Sequence, residues 1–225
     1  METGYNDFME VDLIIQKLTI SVIPVLFAIT VHEAAHGWVA SKLGDKTAMM
    51  MGRLTLNPIK HIDPIGTILL PMLMLLSAGL MFGYAKPVPV SVVNFKHPRR
   101  DMALVALAGP LSNLLMAFGW ILFAKIVSLI TSLPPSASGF LIAMGYAGLT
   151  VNIVLMVLNL LPLPPLDGGR ILSWMLPPKY SDYLDAIEPY GFIILVALII
   201  LGVLGKILFP MVYWFMTVLS AGVGL

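Results

Sequence analysis

The chain contains no cysteine. A disulfide framework and a thiolate metal site are both excluded, so any transition-metal ion must be held by His, Asp or Glu. Charge is scarce as well. Charged residues make up 11% of the 225 positions, against about a quarter in a soluble domain. With a net charge of +1, nothing suggests a nucleic-acid partner. Met1–Asp12 carries Glu2, Asp7, Glu10 and Asp12 and no Lys or Arg. It lacks the basic start of a secretory signal, and no cleaved signal peptide is expected. Tandem repeats, low-complexity tracts and a soluble domain are absent too.

What is there is apolar. Hydrophobic residues make up 59% of the chain and the mean hydropathy is +0.94, the composition of an integral membrane protein. The runs Leu13–Leu43, Met102–Ile130, Phe140–Leu161 and Gly191–Phe209 approach or exceed the roughly 20 residues a spanning helix needs. Ile65–Phe82 is apolar but broken by Pro71 and by Ser77-Ala78-Gly79. Lys179–Pro189 reads as interfacial, and Met211–Leu225 as a partial or interfacial helix. Met49–Leu56 has weak strand character, and Lys86-Pro87-Val88-Pro89-Val90 favours an extended backbone. The expectation is an all-α polytopic membrane protein with a single domain over residues 1–225. It would be a bundle of about five to six transmembrane helices, with a re-entrant or hairpin segment and short membrane-associated strands.

The first long run ends in Val31-His32-Glu33-Ala34-Ala35-His36-Gly37, an H-E-x-x-H. On a helix, His32 and His36 lie one turn apart on the same face. Imidazoles at that spacing can bind one Zn²⁺, and Glu33 can take a proton from water that the zinc acidifies to a pKa of roughly 7. Histidines on a helix can be ordinary packing residues. Within an apolar span, however, a charged group costs about 2–3 kcal/mol, so polar groups there are functional by default. Hydrolytic zinc usually has three protein ligands. Asp167 is the best third candidate. It follows Pro162-Leu163-Pro164-Pro165, which unwinds a helix, and precedes Gly168-Gly169, which lets backbone approach closely. An Asp-Gly-Gly alone would read as a turn; together with the H-E-x-x-H it reads as a ligand.

A shared ion has consequences for topology. If Asp167 meets His32 and His36, the first and third long helices end on one membrane side. The short turn Thr131–Gly139 makes Met102–Ile130 and Phe140–Leu161 a hairpin, so Met102 starts on that side too. Ile65–Phe82 must then enter and leave from one side, or not insert fully. Lys46, Arg53, Lys60, Lys86, Lys96, Arg99, Arg100, Arg170 and Lys179 all fall on the common side, which the positive-inside rule makes cytoplasmic.

H-E-x-x-H ending one helix, Gly109-Pro110-Leu111 opening a second and Asn159-x-x-Pro162 through Leu166-Asp167-Gly168-Gly169 ending a third resemble the site-2 protease family. These are intramembrane zinc metalloproteases. Asn57-Pro58-x-Lys60-His61-x-Asp63-Pro64 and Phe95-Lys96-x-Pro98 resemble its compact bacterial and archaeal branch, without PDZ-like or CBS-like regulatory domains. The resemblance implies zinc ligands His32, His36 and Asp167 and a general base at Glu33. It implies that Asn159 holds substrate or helps an oxyanion; an interhelical hydrogen bond is the other reading. Asn113 could do either, with packing favoured. His61 and His97 read as non-ligands. The expected partners are a transmembrane protein substrate and the lipid bilayer of the cell membrane. The sequence does not set an oligomeric state. Because a helix hides its carbonyls, substrate must unwind. A strand edge at Met49–Leu56 could hold it by β-augmentation. A metal-binding membrane transporter is the alternative from another class, but it gives Glu33 no role. A catalytically dead scaffold does not explain the intact Glu33 and ligand set.

Overall fold

A computed structural model describes residues 2–69 and 85–225. All its regular structure is helical. Helix α1 runs Glu2–Lys42 and α2 is the single turn Thr47–Met50. Then come α3 (Pro98–Leu129), α4 (Pro135–Asn159), α5 (Asp167–Met175), α6 (Pro178–Ile200) and α7 (Val203–Val223). Proline stands at the first helical position of α3, α4 and α6, where its missing N–H is not needed. Helix α4 stops at Asn159, just before Pro162, Pro164 and Pro165 withhold their N–H groups.

Among the described residues, Leu18–Lys42 of α1, together with α3, α4, α6 and α7, makes five helices long and apolar enough to cross a membrane. Their outer faces are apolar; Leu115, for instance, is 74% exposed. Lipid does not drive apolar helices together, so close approach must come from small residues. Ala117 and Ala124 of α3 pack on α4 around Ile121, Leu149 and Ile153, all fully buried. At Gly148 a Cβ would sit 2.3 Å from the Trp120 ring, so only glycine admits that helix contact.

Contacts at the helix ends orient the bundle. Ala40 of α1 packs with Phe95 and with Val105 of α3, so α1 ends where α3 begins. Lys125 Nζ donates to the Gly224 carbonyl at 2.8 Å, so α7 ends near the end of α3. Val154 and Leu158 in the last turns of α4 line one cavity with Ile199, Gly202 and Leu204, so α7 starts where α3 starts. Ser181 and Asp185 of α6 bond Ser173 at 2.7 and 2.9 Å, and Arg99 of α3 donates to the Ser173 and Leu176 carbonyls at 2.8 and 2.7 Å. Both ends of α6 therefore contact the end at which α3 begins.

Three expectations change. Met49–Leu56 is not a strand. Met50, Met51 and Arg53 donate back to the Lys46, Thr47 and Ala48 carbonyls at 2.8–3.0 Å, and Gly52 turns at φ +63°. Local bonds use the amides a strand ladder would need, and no strand occurs among the described residues. Second, the helix expected over Gly191–Phe209 divides at Gly202, whose φ of +68° ends α6, while Pro189 and Pro210 lie inside helices. The polar stretch Lys179–Pro189 thus belongs to α6. Met211–Leu225, read as a partial helix, is most of the 21-residue α7. Third, only the start of Ile65–Phe82 is described. Pro64–Leu69 forms a π-helical turn, begun by Asp63 Oδ1 accepting from Ile65 and Gly66 at 3.0 and 2.8 Å. Pro71 and Ser77-Ala78-Gly79, the expected breaks of a re-entrant segment, lie outside the described residues.

Candidate metal centre

A chain of hydrogen bonds fixes the histidine tautomers. The Gly148 carbonyl can only accept, so Asn152 must present Nδ2 to it, at 2.9 Å. Asn152 Oδ1 then faces Asn113 Nδ2, at 2.9 Å. That leaves Asn113 Oδ1 facing His32 Nδ1 at 2.5 Å, so this ring nitrogen carries the proton. His36 Nδ1 donates to the Val105 carbonyl at 2.7 Å. Both Nε2 atoms are therefore left with bare lone pairs.

Those lone pairs converge. His32 and His36 Nε2 stand 3.0 Å apart, and Asp167 Oδ2 lies 3.3 and 3.4 Å from them. Asp167 Oδ2 is buried with no hydrogen-bond partner. Two lone pairs and a carboxylate oxygen pointed at one spot repel each other unless a cation sits between them. Ligands about 2.0–2.1 Å from a tetrahedral zinc stand roughly 3.3 Å apart, which is the spacing seen. The donor set suits a small divalent cation, and it is the one such cluster of three among the described residues.

Glycine permits the approach. At Gly109, the centre of the Ala108-Gly109-Pro110 segment, a Cβ would fall 2.5 Å from Cε1 of both rings. At Gly168 and Gly169 a Cβ would strike the Leu160–Pro164 backbone at 2.3–2.5 Å, so the chain behind Asp167 needs both glycines.

Glu33 lines a cavity of about 180 Å³ with His32, His36, Asn159, Asp167 and Arg170. Its Oε2 accepts from the Val88 N–H at 2.8 Å. Asn159 is in the wall, with Nδ2 donating to the Leu155 carbonyl at 2.9 Å. Asn113 is fully buried behind His32 and does not line the cavity. His61 Nε2 bonds the Thr55 carbonyl at 2.9 Å and His97 precedes α3; neither joins the cluster. Sequence reasoning missed Val105, Asn152, Val88 and Arg170. A buried asparagine in an apolar helix was a signal for Asn152. A backbone carbonyl or N–H, as at Val105 and Val88, leaves none.

A bundle of apolar helices around a His₂Asp cluster, with a glutamate in the same cavity, defines a membrane-embedded metallopeptidase. The family model for peptidase family M50 matches residues 124–201. YwhC of Bacillus subtilis, named as a candidate zinc metalloprotease, is 44% identical over 191 residues, 84% of each chain. The Rip2 proteins of Mycolicibacterium smegmatis and Mycobacterium tuberculosis strain H37Rv carry the same description. They are 32% and 31% identical over 84% of this chain and 70% of their own. No solved structure matches the chain. The chain belongs to peptidase family M50, and it is a zinc metallopeptidase of the site-2 protease type.

Proposed function

We propose that this protein hydrolyses peptide bonds of transmembrane protein substrates within or near the bilayer, with His32, His36 and Asp167 as the zinc ligands and Glu33 as the general base. The convergence of two Nε2 lone pairs and an otherwise unpartnered carboxylate oxygen carries this reading. Zinc held there supplies a Lewis acid that polarises the scissile carbonyl and acidifies a water. Glu33 takes the proton from that water and passes it to the leaving amine. Asn159, on the cavity wall, holds the unwound substrate backbone. The described segments pack as one bundle, which supports a single metalloprotease domain over 1–225. The test is zinc content and cleavage of a model transmembrane substrate by wild type and Glu33→Gln side by side.

Asn113 acts through His32. Its Oδ1 holds the ring in the tautomer that frees Nε2. Asn113→Ala should lower zinc affinity by about 10–100-fold, the range for loss of a ligand's hydrogen-bond partner. Competition with a chelator of known affinity measures this, and an unchanged affinity would remove the role.

The site faces the cytoplasmic side of the cell membrane in this reading. Nine of the ten basic residues from Lys46 to Lys179, all but Lys125, flank the end where α1 stops and α3 starts, while the α3–α4 turn Ile130–Pro134 carries no charge. Cysteines introduced singly at Ser91 and Ser132 should react with an impermeant thiol reagent from opposite sides. Labelling from the same side would refute the topology.

A further inference from the structure

The Glu33 carboxylate has two oxygens, and the reaction needs one of them free to take a proton. The other is held by a segment far away in sequence. Residues 85–90 run without helix across the face of α1 that carries the motif, and Val88 N–H donates to Glu33 Oε2 at 2.8 Å. Pro87 and Pro89 on either side have no N–H. A slip of one residue in either direction would bring a proline opposite Glu33, so Val88 is the one donor this triplet can offer.

The segment is tied down before and after that point. Lys86 N–H donates to the His61 carbonyl at 2.9 Å. Arg53, nearly buried, donates from Nη2 to the Lys86 and Pro87 carbonyls at 2.8 and 3.3 Å. On the other side, the fully buried Asp45 accepts from Ser91 N–H and from Asn94 Nδ2, both at 2.7 Å. The middle is seated on the motif itself. Val88 is buried, and its Cγ1 lies 3.1 Å from where a Cβ on Gly37 would be. The glycine that follows the second histidine therefore makes room for the strap.

We propose that Pro87-Val88-Pro89 is a positioning strap for the general base: the Val88 N–H occupies Glu33 Oε2, fixes the side chain in one rotamer and leaves Oε1 to take the proton from water. The strap supplies none of the three metal-directed groups, and Pro87 and Val88 stand beside Glu33 in the cavity wall. It raises the fraction of time that the base is aligned, which enters kcat and leaves substrate affinity and zinc affinity alone. This inference rests on Glu33 being the base.

Two substitutions at one position separate the N–H from the side chain. Val88→Pro removes the donor and sets φ near −65°. Val88→Ala keeps the donor and removes the packing on Gly37. Both are assayed as the purified, zinc-loaded full chain on a model transmembrane substrate, beside wild type and Glu33→Gln. Val88→Ala should retain kcat within about threefold, whereas Val88→Pro should lose kcat by about 10–100-fold, the cost of a misplaced catalytic group. KM and zinc per chain should be unchanged in both. Equal kcat for the two variants, whether both high or both low, would overturn the proposal, because the N–H would then not be what matters. If Val88→Pro does not fold, Arg53→Met gives the second reading. It frees the strap while leaving the Val88 N–H in place, and it should lower kcat with KM and zinc constant; an unaffected kcat would overturn the proposal. Failure of the underlying reading looks different. There, wild type itself shows no zinc-dependent cleavage, or Glu33→Gln cleaves as well as wild type.

Discussion

Glu33→Gln should keep a full complement of zinc and lose cleavage by about 10²–10⁴-fold, the usual worth of a general base. The reasoning is local. Gln has the shape of Glu, and its amide oxygen can still accept from Val88 N–H, so the strap and the cavity wall have no cause to move. The three metal-directed atoms belong to His32, His36 and Asp167, and the substitution touches none of them. What the amide cannot do is take a proton from water near neutral pH. Metal analysis of the purified chain and the cleavage rate of a model transmembrane substrate together check this. Zinc retained with cleavage lost assigns Glu33 to proton transfer. Zinc retained with cleavage intact would remove it from the mechanism.

Asp167→Ala should abolish stoichiometric zinc binding and, with it, cleavage. Its effect on affinity should exceed the about 10–100-fold expected at Asn113, because a ligand is lost and not merely its orienting partner. Asp167 supplies the only carboxylate of the His32, His36 and Asp167 cluster. Without it, two neutral imidazoles 3.0 Å apart remain. Chelator treatment sharpens the test. Wild type stripped of metal should lose activity and recover it with one equivalent of zinc, whereas Asp167→Ala should not recover. Recovery at one equivalent would mean that another residue completes the site.

Much of the centre was legible before any coordinates. The one-turn spacing of His32 and His36 follows from helix geometry, and the apolar run around them makes a bland role hard to sustain. Asp167 stood out because three prolines and two glycines frame it. From that shared ligand the meeting of three helix ends followed by parity. Contacts among Ala40, Phe95 and Val105, and between Asp167 and the histidines, put those ends together.

Other features had no sequence signature strong enough. The run Gly191–Phe209 reads as one helix, yet the chain turns at Gly202, where the backbone takes a left-handed conformation, while Pro189 and Pro210 lie inside helices. The weak strand character of Met49–Leu56 reflected side-chain preference alone. Short-range amide bonds to the Lys46–Ala48 carbonyls won instead.

The division has one physical cause. Periodicity, hydropathy and motif spacing act along the chain over one or a few turns, so the sequence by itself determined the membrane class, the histidine pair, the glutamate beside it and the aspartate that meets them. Contacts between residues dozens of positions apart depend on how helices cross. Tertiary structure alone decided that Asn152 and Asn113 set the His32 tautomer, that Val105 sets that of His36, and that the Val88 N–H reaches Glu33. Two of those partners are backbone groups, a carbonyl and an N–H, which no side-chain pattern records.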